Sequence, residues 1–75
     1  MDINDVVIHV SETLDSHKRH DLEDQMRAVD GVIAPRFNEG RPHLMIVAYD
    51  PERISTGELL NQVRRQGYHA QHCGA

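Results

Sequence analysis

His43-Leu44-Met45-Ile46-Val47-Ala48-Tyr49 is apolar at nearly every position. A run of this length bounded by turn residues suits a strand in the middle of a sheet, covered along both edges. Asp50-Pro51 ends it, because proline has no N–H to give a ladder. Upstream, Asn38-Glu39-Gly40-Arg41-Pro42 is a turn by composition, so Val32 to Asn38 becomes the hairpin partner. That partner contains Pro35, which confines it to a sheet edge.

Further out, Val6-Val7-Ile8-His9-Val10 is a β-branched run that reads as another strand. Its alternation puts Val6, Ile8 and Val10 on one face, Val7 and His9 on the other. Between these strands, Asp15 or Ser16 caps a helix whose apolar stripe is Leu22, Met26 and Val29 at i, i+4, i+7. Asp30-Gly31 closes it, with Gly31 expected at the left-handed C′ position. Downstream, Ser55-Thr56-Gly57-Glu58 has the capping-box spacing and leads into Leu59, Leu60 and Val63. Gly67 stops this second helix, and Tyr68 to His72 is the expected closing strand. The order β-α-β-β-α-β predicts an α+β, ferredoxin-like sandwich. Right-handed crossovers give a four-stranded antiparallel sheet in spatial order 4-1-3-2 with both helices on one face.

The 75 residues are expected to form a single domain, 1–75. A net charge of -4 argues against nucleic acid, which needs a basic stripe. The pairs Lys18-Arg19 and Arg64-Arg65 suit a solvated mixed-charge surface. One cysteine excludes an internal disulfide. No charged-then-apolar leader is visible, and no run approaches the ~20 apolar residues of a membrane span, so a soluble cytoplasmic protein is expected.

The sequence resembles the heavy-metal-associated domain of copper chaperones and metal-pumping P-type ATPases. The resemblance spans nearly the whole chain. It is carried by Val29-Asp30-Gly31-Val32, by Val47-Ala48-Tyr49-Asp50-Pro51 followed by Ile54-Ser55, and by Leu59-Leu60 leading to Val63 and Gly67-Tyr68. In that family a Met-x-Cys-x-x-Cys motif between the first strand and first helix takes Cu(I). Counting back from Gly31 puts those cysteines on Asp15 and Lys18, and the Met on Thr13. Two-thiolate capture of Cu(I) in this loop is therefore excluded, because soft ions need sulfur.

Six histidines are a high count for this length. The predicted topology brings His17, His20, His43 and His69 toward the rim that holds the loop. His17 and His20 are i, i+3 on the helix and can share an ion, to which Asp15 adds an oxygen. Such nitrogen and oxygen donors suit a divalent Zn, Ni or Cu ion. Lys18 and Arg19 oppose a cation there, and solvated surface histidines are the plain alternative. His9 and His69 form a second possible pair if the first and fourth strands register them within about 5 Å. The tail Cys73-Gly74-Ala75 reads as mobile, and His72-Cys73 as a contributor only to a site between two molecules. On the sheet face away from the helices, Val7, Leu44, Ile46 and Ala48 form an apolar strip of the kind that marks association.

No nucleophile–base pair or phosphate-binding glycine loop is present, so an enzyme is not expected. Two functions remain open. The first is a metallochaperone-like protein using histidines, with a metal-transporting partner protein. The second is a metal-free module that forms a homodimer or docks through its open face.

Overall fold

The computed structural model describes residues 2–73; Met1, Gly74 and Ala75 lie outside them. The elements are β1 (Asn4–Val10), α1 (Ser16–Arg27), β2 (Val32–Asn38), β3 (Arg41–Tyr49), α2 (Thr56–Arg65) and β4 (Ala70–Cys73). They make a four-stranded antiparallel sheet in the order β2-β3-β1-β4, the expected order written from the other edge. No helix among the described residues is long and apolar enough to cross a membrane.

The core lies between the helices and one sheet face. Val6, Ile8 and Val10 of β1 and Met45, Val47 and Tyr49 of β3 meet Leu22 and Met26 of α1 and Leu59 and Val63 of α2. Eight of the core's large side chains are essentially fully buried. Each is worth about 1.5–3 kcal/mol, more than a helix cap at about 1 kcal/mol. Burial therefore drives the fold, and the caps adjust where its helices begin. Asp15 caps α1 by accepting from the Lys18 N–H at 2.8 Å, and Ser55 caps α2 by accepting from the Glu58 N–H at 3.2 Å.

Pro35 sits on edge strand β2 opposite Val47, as its missing N–H requires. Gly31 departs from expectation. α1 ends at Arg27 with Ala28 as its C-cap, so Gly31 lies beyond the C′ position. Its positive φ of 97° belongs to the turn into β2, where its carbonyl accepts from the Asp50 N–H at 2.8 Å. A Cβ at Gly31 would stand 2.8 Å from Ile54 Cγ2, so glycine is also required by the close approach of the two loops. Gly67, with φ 93°, does occupy the C′ position of α2.

The closing strand starts later than expected, at Ala70 rather than Tyr68. Cys73 belongs to it and pairs with Val7, so this part of the tail is in the sheet; Gly74 and Ala75 are outside the described residues. Arg64 in the last turn of α2 holds the strand's first carbonyl, donating to Ala70 O from Nε at 3.2 Å and from Nη2 at 2.9 Å.

Candidate functional site

The loop between β1 and α1 is held at several points. Leu14 is buried and anchors it to the core. Arg19 donates to the Leu14 carbonyl at 2.7 Å, and Asp15 is engaged as the helix cap. Of the positions matching the family's thiol positions, Asp15 thus holds the Lys18 backbone N–H, while Lys18 is exposed.

The histidines around this loop have separate partners. His17 Nε2 lies 3.4 Å from Asp21 Oδ2, and His20 Nδ1 lies 3.3 Å from Glu23 Oε1. Both rings are highly exposed, which leaves such pairs little energy. Glu23 also accepts from the Phe37 N–H at 2.7 Å, tying α1 to the irregular end of β2. His69 precedes β4 and is clamped to Glu12. Its backbone N–H donates to Glu12 Oε1 at 2.8 Å and its Nδ1 to Oε2 at 2.7 Å. Chiefly through that side-chain bond, Glu12 is held below the ordinary carboxylate range. Ser11 N–H donates to the His69 carbonyl at 2.9 Å, which brings His69 beside the end of β1.

His9 faces Gln71, so the register does not set it opposite His69. Its neighbour is His43: the two rings stack with centroids 5.7 Å apart and planes 20° apart. Alternation along β3 would group His43 with Met45 on the helix side. At the start of the strand its ring instead lies against His9, with Nδ1 2.8 Å from the Val10 carbonyl oxygen. A carbonyl only accepts, so Nδ1 carries the proton and Nε2 is left with the lone pair in the neutral ring. His9 Nδ1 is buried and has no hydrogen-bond partner among the described residues. No group of three or more His, Cys, Asp or Glu side chains able to hold a metal ion occurs among the described residues.

The sheet face away from the helices carries a regular array. Arg36 faces Ile46, Ile46 faces Val7, and Val7 faces Cys73, forming one row across all four strands. Leu44, His9 and Gln71 form the next row, and Ala34, Ala48 and Asp5 another. Val7, Leu44, Ile46 and Ala48 are half-buried even though no helix covers this side. Flanking side chains already shield part of the strip.

No family model matches the sequence, and no curated protein matches it. Solved structures do match in fold. Oxidized MerP from Ralstonia metallidurans CH34 superposes with a TM-score of 0.85 at 16% identity, covering 97% of this chain and 100% of that one. The CopZ metallochaperone gives 0.81 at 19% identity over 91% and 100%. The N-terminal domain of a potential copper-translocating P-type ATPase from Bacillus subtilis, in its Cu(I)-loaded state, gives 0.84 at 18% identity over 96% and 89%. These neighbours are heavy-metal-associated domains, and the chain has their fold.

Proposed function

We propose that this chain is a small, non-enzymatic, cytoplasmic metal carrier that holds a divalent Zn, Ni or Cu ion through imidazole nitrogen and passes it to a metal-transporting partner protein. The observation that carries this is the distribution of histidine on a metal-carrier fold. Five of the six histidines, at 9, 17, 20, 43 and 69, lie on or beside the end of β1 and the start of α1, where the chain offers no thiol. Imidazole and carboxylate select borderline divalent ions over Cu(I). His17 and His20 with Asp15, joined by His43 and His69, are the candidate ligands.

The test is calorimetric titration of tag-free protein with Zn(II), Ni(II) and Cu(II), followed by two-dimensional NMR. Stoichiometric binding with shifts confined to these histidines supports the carrier. Weak shifts scattered over all six refute it.

A second function, association without metal, is favoured by the half-buried row formed by Val7 and Ile46, with Leu44 beside it. Ile46→Lys would then abolish a homodimer or partner complex while the fold survives. An unchanged assembly state would dismiss it.

A further inference from the structure

We infer that His9 and His43 form half of a metal site, and that a second copy of this chain supplies the other half across the open sheet face. The inference rests on the carrier proposal for a divalent ion held by imidazole, and gives that ion a different ligand set, with His9 beside His43 and a second copy of the chain as partner.

His43 is oriented as metal-ligating histidines are, with one ring nitrogen donating to a backbone carbonyl at 2.8 Å and the other left free. Its stacked neighbour His9 has a ring nitrogen buried without a partner among the described residues. Histidines 17, 20 and 69 each lie against a carboxylate, whereas no carboxylate pairs with His9 or His43 among the described residues. For one ion to sit about 2.0–2.1 Å from a nitrogen of each ring, the two imidazoles, stacked with centres 5.7 Å apart, must turn so that their in-plane lone pairs converge.

Two nitrogens do not complete a zinc site. Structural Zn(II) takes four ligands in a tetrahedron, and no third metal-binding side chain joins this pair among the described residues. A two-fold pairing doubles whatever one copy presents, so two imidazoles become four. The surface around the pair suits such self-association. Leu44 lies opposite His9, with Ile46 and Val7 in the next row, and these side chains are half-buried without a helix over them. Asp5 on β1 and Arg36 on β2 stand on the same face with opposite charge. A two-fold pairing can set Arg36 of one copy toward Asp5 of the other.

The experiment is titration of tag-free protein with zinc chloride, read in parallel by calorimetry and sedimentation velocity. The expected result is one Zn(II) per two chains with conversion of monomer to dimer. His9→Asn and His43→Asn should each weaken binding by more than about 100-fold, beyond the 10–100-fold loss typical of an outer-sphere partner. His17→Asn/His20→Asn should weaken it far less than either, with two-dimensional NMR confirming that every variant is folded. One zinc per monomer, or binding lost only in the His17/His20 variant, overturns the shared site and leaves the carrier standing. A dimer indifferent to zinc and to both substitutions also overturns the shared site. No binding of zinc, nickel or copper overturns both.

Discussion

Gly31→Ala tests how the two loops at the far end of the sheet lock together. The substitution meets two penalties. At φ 97° any residue with a Cβ is strained, by about 1–2 kcal/mol. The new Cβ would also stand 2.8 Å from Ile54 Cγ2 and 3.0 Å from Arg53 Cβ. Ile54 is buried and β-branched, so it has no free rotation with which to retreat. Overpacking of this kind costs about 1–3 kcal/mol, which brings the total to about 2–5 kcal/mol. A 75-residue domain at about 0.05–0.15 kcal/mol per residue holds only ~4–11 kcal/mol. At about 4–8 °C per kcal/mol, Tm should fall by at least ~8 °C. Gly67→Ala is the internal control: its φ is 93°, but nothing lies within 4 Å of the added Cβ. It should lose only the backbone part. Urea unfolding followed by circular dichroism on both variants separates the contributions. If the two agree within about 0.5 kcal/mol, the contact with Ile54 is not what requires glycine at position 31.

Three further outcomes are expected. Glu12→Gln should lower the urea midpoint at pH 7, because the clamp to His69 holds the Glu12 carboxyl below its ordinary value of 4.5. A depressed folded value gives stability that is full above the ordinary value and lost as pH falls through the folded one. The gap between wild type and variant should therefore close below about pH 4.5; a constant gap would exclude the ionised clamp. Asp15→Ala should cost about 1 kcal/mol by removing the α1 cap, whereas Asp15→Asn keeps a capping oxygen and should be nearly neutral in denaturant titration. If Asp15→Asn also weakens metal binding, Asp15 acts as a ligand as well as a cap. Leu59→Ala, which opens a cavity under α2, should cost about 2–5 kcal/mol by the same assay.

Much of the architecture was legible because periodicity is a local property. Val6, Ile8 and Val10, or Leu22 and Met26, declare their faces within a few residues of chain, and all five are buried. Pro35 located an edge by what it lacks. Expectation failed where a distant contact decides. Gly31 reads as a helix terminator until Ile54 is seen beside it, 23 residues away. β4 begins at Ala70 rather than Tyr68, and Glu12 binds both the backbone and the ring of the preceding His69 across 57 residues. The stack of His9 on His43 was least visible. Strand alternation assigns the two rings to opposite faces, and the start of β3, where the ladder to β1 has ended, releases His43 from that rule. Spacing along the chain drew attention to His17 and His20, but their nearest charged groups are carboxylates one helical turn away.

The two margins of the sheet are chemically unequal. The β2 side carries Pro35, whose missing N–H leaves a gap in any ladder laid along it. The β4 side is a short strand with no proline; Arg64 already holds its first carbonyl, and the outward backbone groups past Ala70 form a usable template. Growth of this sheet by added strands therefore has a direction. A peptide that extends it, or a misfolded copy that seeds a fibre, finds its footing past Ala70, along 71–73, and a proline placed there would close the last open side.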